Sequence, residues 1–232
     1  MKGYFITGTD TGVGKTLIGG AIARALVGSG RNVGVMKPFE TGCRPRGNSL
    51  VPEDAVFLKE MSKCPEDIAT VCPYRLRHPL APGVAATIEK VEIKFERIKS
   101  IFLGMQKRYE VILVEGAGGL MVPVDEDLLT LDLIKLLNLP LIIVSRLSLG
   151  TINHTLLTVK HAQNSGIRVA GIIFNQLSPG TGKAEETNPD VIKRLSGVPI
   201  LGQMPFISEE KRKDAEYLAD LAAEHIDLTI FS

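Results

Sequence analysis

The chain has 232 residues, of which 44% are apolar, 23% are charged and 5% are aromatic. At about 150 residues per domain this length allows one large domain or two small ones, and such a chain buries roughly 70% of its unfolded surface without needing disulfides or metals. The 27 basic and 26 acidic side chains leave a net charge of +1, which argues against a general nucleic-acid binder, since that class carries a basic excess.

Short β-branched runs alternate with helical patterns along the chain. The predicted strands are continuous apolar runs, typical of strands covered on both faces, at residues 4–7, 33–36, 111–114, 141–144, 169–174 and 200–202. The predicted helices are residues 15–28, 54–61, 95–108, 130–137, 151–164, 189–195 and 214–225. This alternation predicts an α/β fold with a mostly parallel, helix-covered sheet. In such a sheet the functional residues directly follow the strands.

No linker, repeat or shift in composition divides the chain, and we expect a single domain over residues 1–232. The segments 42–52 and 178–188 are rich in Gly, Pro and Ser, but each has the length of a loop rather than of a linker.

A cytoplasmic protein is expected. No apolar run approaches the ~18 residues that span a bilayer, and residues 1–12 lack the apolar core of a signal peptide. The three cysteines show no C-x-x-C spacing, which argues against zinc ribbons and disulfide scaffolds, so we expect them to be reduced.

The first predicted strand ends in G-T-D-T-G-V-G-K-T (residues 8–16), and a helix follows at once. The glycines let backbone N–H groups converge on phosphate oxygens, Lys15 supplies a charge for the β- and γ-phosphates, and the Thr16 hydroxyl can bind Mg²⁺. A strict P-loop has glycine where this chain has Thr9, yet the pattern indicates a nucleoside triphosphate site. The nucleotide contacts expected from it are Gly12, Val13, Gly14, Lys15, Thr16 and Leu17.

Two further strand ends carry charged residues. Lys37 follows the second predicted strand, where a second lysine near phosphate suggests phosphoryl transfer, although a lysine before proline is equally typical of a solvated strand end. Asp54 begins the next predicted helix, where an acid complements the helix dipole, and spacing alone does not separate it from Glu53.

The third predicted strand ends in E-G-A-G-G (residues 115–119). An acid at the tip of such a strand suits coordination of Mg²⁺, directly or through water, and the glycines allow a ligand to approach the backbone. The alternative is a carboxylate that caps a turn. The ligand contacts expected here are Glu115, Gly116, Ala117 and Gly118.

The segment S-L-G-T-I-N-H (residues 148–154) starts a helix after the fourth predicted strand. Gly150 and the free N–H groups of residues 151–153 form an anion site by geometry. His154 and His161 share one helical face, but without a third ligand packing or exposure is favoured over metal binding. Asn175 and Gln176 follow the next strand, where their amides can read a nucleobase edge or simply stabilise a loop.

Taken together, these segments resemble the dethiobiotin synthetase family. The resemblance runs in order through GTDTGVGKT, KPFETG, the helix at Asp54, VEGAGG, LGTINH, FNQ and LGQMP, which is nearly the whole chain. It implies a homodimeric, ATP- and Mg²⁺-dependent enzyme of P-loop fold that makes dethiobiotin from 7,8-diaminopelargonic acid, CO₂ (or bicarbonate) and ATP. One amine becomes a carbamate, ATP phosphorylates it to a carbamic-phosphoric anhydride, and the second amine closes the ureido ring.

The resemblance also implies roles for individual residues. Lys15 and Lys37 are catalytic, and Thr41 contacts the carbamate or amine. Mg²⁺ is held by Thr16, Asp54 (rather than Glu53) and Glu115. Gly150 and Asn153 bind the far carboxylate of the substrate from the partner subunit, and the adenine contacts are Asn175, Gln176, Pro205, Phe206 and Ile207.

The chain departs from the family pattern at two places. Gly12 stands where some members carry an acidic side chain, so any contact from that side chain is lost here. The segment 178–188 is variable in the family, so its contacts with the substrate tail do not carry over.

Two alternatives share this fold. P-loop ATPases that act as switches carry a signature lysine five residues before the P-loop lysine, but that position is Asp10 in this chain. A regulatory domain that binds nucleotide without turnover is disfavoured by the retention of Lys15, Thr16, Lys37 and Glu115. Neither nucleic acid nor a membrane is expected as a partner.

Overall fold

The computed structural model describes residues 2–47, 49–180 and 182–232. Residues 48 and 181, each within a segment expected to be a loop, lie outside the described residues, as does residue 1. The first half of the chain contains β1 (Lys2–Gly8), α1 (Lys15–Gly28), β2 (Val33–Met36), β3 (Phe39–Glu40), β4 (Arg44–Arg46), β5 (Ser49–Val51), α2 (Glu53–Ser62), α3 (Ile68–Val71), β6 (Tyr74–Arg75), α4 (Pro82–Glu89) and α5 (Phe95–Gln106). The second half contains β7 (Val111–Glu115), α6 (Thr130–Leu137), β8 (Leu141–Arg146), α7 (Thr151–Asn164), β9 (Val169–Asn175), α8 (Lys183–Ser196), β10 (Ile200–Met204) and α9 (Ala215–His225).

Within the described residues, the main sheet has six strands in the order β10-β9-β8-β1-β7-β2, and every neighbouring pair is parallel. This confirms the α/β fold class and the parallel sheet. The strand order runs in opposite directions on the two sides of β1, so right-handed crossovers put α1 on one face and α7 and α8 on the other. The carboxyl ends of all six strands meet at one edge, with β1 near the middle.

Burial explains why these runs became strands. Every residue of β2 and β7 is buried, as are the first five residues of β8, because helices cover both faces of the sheet. On one side of the sheet α1 packs against α2 and α9, while α7 and α8 contact each other. None of the helices in the described ranges is both long and apolar enough to cross a bilayer.

Several elements differ from the sequence prediction. The segment 42–52 was expected to be a loop, but it contains the β4–β5 hairpin, whose residues are largely exposed and so show no apolar pattern. The helix expected at 189–195 is α8, which begins six residues earlier. Its first turn is capped by Glu185, whose carboxylate accepts the Gly182 N–H at 3.0 Å, and Pro189 lies inside the helix rather than in its first turn. Residues 183–188 are therefore helical and not part of a loop.

Candidate functional site

A cleft of about 710 Å³ opens at the carboxyl edge of the sheet. It brings together the loop after β1, the segment after β2, the start of α2 and the loop after β7. Of the residues expected from the sequence, it is lined by Gly12, Gly14, Lys15, Thr16, Leu17, Lys37, Thr41, Asp54, Glu115, Ala117 and Gly118. Residues 79–82, which precede and begin α4, also line it. Sequence reasoning missed them because α4 was not predicted.

The loop between β1 and α1 has the backbone of a phosphate-binding loop. Gly12 and Gly14 have φ values of 77° and 94°, and Gly14 is the N-cap of α1. A Cβ on Gly14 would lie 2.1 Å from Nδ2 of Asn175, which donates a hydrogen bond to the Val13 carbonyl at 3.0 Å. Both the positive φ and this close approach require glycine at position 14. Asn175 thus stabilises the conformation of the loop through this hydrogen bond.

Lys15 begins α1 and is almost fully buried. Its ammonium donates to the Asp10 carbonyl at 3.2 Å, which holds the side chain over the loop. Burial lowers the pKa of Lys15, and the neighbouring Glu115 carboxylate opposes that shift. The first turn of α1 and this ammonium together make the loop an anion-binding surface.

Lys37, Glu115, Asp54 and Thr16 form one polar cluster at the centre of the cleft. The Lys37 ammonium lies 2.6 Å from Oε1 of Glu115 and 3.0 Å from Oδ2 of Asp54, and the Thr16 hydroxyl donates to Oε1 of Glu115 at 2.7 Å. Burial alone would lower the pKa of Lys37, but the Glu115 and Asp54 carboxylates raise it well above its ordinary value. The Lys37 side chain is therefore a fixed positive charge and not a solvated strand end.

The structure separates Asp54 from Glu53, which the sequence spacing did not. Asp54 lines the cleft, whereas Glu53 points to an exposed ion pair with Arg44, 3.4 Å between Oε1 and Nε. Consecutive residues at a helix start point in different directions, about 100° apart around the axis, so only one of the two acids reaches the cleft.

The oxygen atoms of this cluster suit Mg²⁺. Proteins usually hold Mg²⁺ through one or two carboxylates together with phosphate and water, rather than through an all-protein cage. Thr16, Asp54 and Glu115 supply one hydroxyl and two carboxylates. Oε2 of Glu115 is buried and has no hydrogen-bond partner among the residues that the structure describes. An unpartnered buried carboxylate oxygen is costly unless a cation or water meets it.

Glu40 is a cleft residue that sequence reasoning missed. It lies on β3, is buried, and accepts the N–H groups of Asp54 and Ala55 at 3.0 and 2.9 Å. Burial raises the pKa of Glu40 to about 7, although Lys37 opposes the shift. An acid within K-P-F-E-T-G was the available signal, but its partners are fourteen and fifteen residues away and follow from the tertiary fold alone.

The expected nucleobase residues lie outside the cleft, and Asn175 among them contacts the phosphate loop. Asn175 ends β9 and is paired in register with Met204 of β10, so the residues that follow both strands are neighbours. The Gln176 amide donates to the carbonyls of Ser178 and Gly180, at 3.0 and 2.7 Å. Gln176 directly follows β9 and is half-buried. Pro205, Phe206 and Ile207 directly follow β10, and the first two are half-buried while Ile207 is buried. Gly116 is also outside the cleft, packed against the Phe5 ring.

The start of α7 is separate from the cleft. Gly150 is its N-cap with φ 89°, and Asn153 is exposed beside a shallow groove of about 460 Å³. His154 lies 3.4 Å from the Arg146 guanidinium. No group of three His, Cys, Asp or Glu side chains able to hold a metal is found within residues 2–47, 49–180 and 182–232.

Comparisons with known proteins give a consistent picture. A family model described as "AAA domain" matches residues 2–213. The ATP-dependent dethiobiotin synthetase BioD of Thermodesulfovibrio yellowstonii is 43% identical over 234 residues, which cover 97% of this chain and 96% of that protein. The protein of the same name from Bacillus subtilis (strain 168) is 42% identical over 230 residues, covering 99% and 97% of the two chains.

Solved structures with a similar fold have lower identity. A ParA family ATPase from Chlorobium tepidum TLS has a TM-score of 0.56 at 17% identity, with 99% of this chain and 96% of that chain covered. The MinD cell division protein of Aquifex aeolicus has a TM-score of 0.57 at 16% identity, with 97% and 96% covered. At this identity they show the shared fold alone.

Proposed function

Because the chain belongs to the dethiobiotin synthetase family, we propose that it closes the ureido ring of dethiobiotin from 7,8-diaminopelargonic acid, CO₂ and ATP. It is an ATP-dependent cyclo-ligase of biotin biosynthesis, and the steps and residue roles that follow are our proposal. The observation that carries them is the pair of buried lysines, Lys15 and Lys37, at one cleft beside a phosphate loop.

The proposed chemistry has two bond-forming steps after the carbamate has formed on one amine. A carbamate oxygen attacks the γ-phosphorus and ADP leaves, which gives the carbamic-phosphoric anhydride. The second amine then attacks the carbamate carbon, the carbon–oxygen bond to phosphate breaks, and the ring closes as phosphate departs and the nitrogen loses its proton. Carbamate and γ-phosphate are both anions, so the first step needs cations aimed at both.

The lysines supply those cations. Lys15, at the start of α1, faces the β- and γ-phosphates, and Lys37 lies between them and the acceptor, with Thr41 contacting the carbamate or amine. Thr16, Asp54 and Glu115 would hold the Mg²⁺ that accompanies ATP, which when bound neutralises phosphate charge. Oε2 of Glu115, which is buried and meets no hydrogen-bond partner in the part of the chain that the structure describes, supports this assignment.

The adenine is proposed to bind where β9 and β10 end, against Asn175, Gln176, Pro205, Phe206 and Ile207. The adjacency of the β9 and β10 ends supports this placement. The backbone of Gly116, Ala117 and Gly118 would close the other side of the phosphate site.

We also propose a cytoplasmic homodimer of single-domain subunits, in which Gly150 and Asn153 bind the far carboxylate of the substrate held by the partner subunit. The Thr151 N–H, expected to be free, donates to the Ser148 carbonyl at 3.2 Å, so the N–H groups of Ile152 and Asn153 are the ones proposed to meet a carboxylate at the start of α7. Leu149 is 85% exposed and Leu157 62% exposed, which leaves apolar side chains around this helix start for a second subunit to cover. One continuous hydrophobic core supports the single domain.

The proposal is tested by ADP release measured with and without diaminopelargonate and bicarbonate. ADP release should depend on both compounds. The competing function is a nucleotide-dependent switch. It is considered because the chain shares its fold with a ParA family ATPase and a MinD protein. ADP release that ignores the diamine but responds to DNA or to a protein partner would favour the switch and contradict the ligase.

A further inference from the structure

Glu40 is a buried carboxylate to which the reaction proposed above gives no part. Its side chain lines the cleft and is only 6% exposed as a residue. Oε1 accepts the N–H of Asp54 at 3.0 Å and Oε2 accepts the N–H of Ala55 at 2.9 Å. Both carboxylate oxygens are therefore committed to the first turn of α2.

Among the residues that the structure describes, the first turn of α2 receives no capping hydrogen bond from its own N-cap side chain. The N-cap residue is Pro52, whose side chain makes no capping hydrogen bond. The N–H groups of a first helical turn need partners from outside the helix, and a carboxylate there also complements the helix dipole. Ala55 is fully buried, so its N–H needs an acceptor within the protein, and Oε2 of Glu40 is that acceptor.

The backbone that carries Glu40 is firmly held. β3 is paired with β6, and the Leu76 N–H donates to the Glu40 carbonyl at 2.8 Å. At the start of the same segment, the Lys37 N–H donates to the Val71 carbonyl at 2.8 Å. The distance between this segment and the start of α2 is thus set by the carboxylate of Glu40.

Asp54 lies on the turn that Glu40 anchors, and its own N–H is one of the two donors. Its side chain is 49% exposed, and its ion pair within the described residues is with Lys37. We propose that Glu40 is a positioning residue that fixes the backbone of Asp54, so that the Asp54 carboxylate meets the divalent cation of the nucleotide. This inference rests on the proposed function, because that function makes Asp54 a metal ligand.

The test compares Glu40→Ala and Glu40→Gln with the unmodified protein, using Mn²⁺ as the probe metal. Binding of Mn²⁺ to the ADP-loaded protein is followed by electron paramagnetic resonance, with no turnover involved. Glu40→Ala should weaken Mn²⁺ binding at least tenfold. Glu40→Gln keeps one acceptor oxygen and should weaken it less, while affinity for ADP without metal stays within twofold.

A matched control separates positioning from general destabilisation. Asp214 caps α9, where its Oδ1 accepts the Tyr217 N–H at 3.1 Å, and it is not one of the described residues that line the cleft. Asp214→Ala should lower the melting temperature yet leave Mn²⁺ affinity unchanged.

The inference is overturned if both Glu40 variants bind Mn²⁺ as the Asp214→Ala protein does. It is also overturned if Gln and Ala weaken binding equally, since the charge of Glu40 alone would then be responsible. Glu40→Gln keeps the test valid should Glu40→Ala not fold.

Asp54→Asn distinguishes this inference from the proposed function. If Asp54→Asn leaves Mn²⁺ binding unchanged, the metal assignment of the proposed function is wrong, and Glu40 has no ligand to position. If Asp54→Asn weakens binding while the Glu40 variants do not, only the role of Glu40 is wrong.

Discussion

At the scale of single residues, Lys37 is placed for chemistry more than for nucleotide binding. Its ammonium bridges the carboxylates of Glu115 and Asp54 in the cleft. We expect Lys37→Met to leave ADP affinity within roughly tenfold, about 1.4 kcal/mol, because Lys15 and the loop backbone still bind the phosphates. The value of kcat should fall about 100-fold or more, since a cation between two reacting anions is lost.

Steady-state kinetics and calorimetry of ADP binding measure the two effects separately. Lys193→Met removes an exposed lysine on α8 and is the control, with both quantities unchanged. A Lys37→Met protein that loses ADP binding in proportion to kcat would make Lys37 a nucleotide-binding residue instead.

Gly14 is the residue at which a single methyl group should matter most. A Cβ there would meet the Asn175 amide at 2.1 Å, on a backbone with φ 94°. We expect Gly14→Ala to weaken nucleotide binding at least tenfold. Gly104→Ala is the matched control, because position 104 lies inside α5 with nothing within 4 Å of the added Cβ. That substitution should leave binding unchanged and stabilise the fold by about 0.5–1 kcal/mol. Equal affinities of the two variants for ADP would contradict the role given to the loop.

Some residues of the cleft could be predicted from the sequence and others could not. Lys15 and Thr16 are predictable because the phosphate loop is a local motif at a strand-to-helix junction. Asp54 could not be told from Glu53 by spacing, since the choice depends on which way the first turn of α2 faces. Glu40 was not predictable, because a cap that comes from another element leaves no periodic signal.

At the scale of elements, the sheet was predictable and the insertions after β2 were not. β2, α1, α6 and α7 have the predicted bounds, because long apolar or amphipathic runs carry a clear period. The β3–β6 pair has two residues per strand and α3 has four, too few for any period to show. Pro189 misled the prediction of α8, since proline is common in a first turn.

The first turn of α7 is docked on β8 by a cluster of buried hydroxyls. The Ser145 hydroxyl lies 2.7 Å from that of Thr151 and 2.8 Å from that of Thr155, and all three residues are fully buried. We expect Thr155→Val to cost about 0.5–1.5 kcal/mol of stability, because it removes one hydrogen bond from this buried cluster. If this turn binds the substrate tail, KM for the diamine should also rise more than KM for ATP.

Chemical denaturation and steady-state kinetics check the Thr155→Val prediction. Thr187→Val on α8 is the control, since Thr187 is exposed and its hydroxyl donates a hydrogen bond to the Lys183 carbonyl within the same helix. Its effect should stay within about 0.5 kcal/mol. If the Thr155→Val protein is as stable as the Thr187→Val protein, the hydroxyl cluster does not stabilise the docking of α7 on β8.

At the scale of the whole molecule, the start of α7 and the cleft are separate on one subunit. If the substrate bridges them across a dimer, Asn153→Ala and Lys37→Met disable different halves of the same composite site. Hybrid dimers formed by mixing the two inactive proteins should then regain activity, because one of the two sites in each hybrid is intact. Absence of recovery in proteins shown to exchange subunits would place both halves of a site on one chain.

The central claim is that ATP phosphorylates a carbamate. It is tested most directly by following the carbamate oxygen that receives the phosphoryl group. With ¹⁸O-labelled CO₂ in unlabelled water, and with the reaction stopped before the label exchanges, one labelled oxygen should pass to the released phosphate and one should remain in the ureido carbonyl. Product and ADP should form in equal amounts. Unlabelled phosphate from a reaction that still requires the diamine would mean that water cleaves ATP, and would contradict the proposed carbamic-phosphoric anhydride.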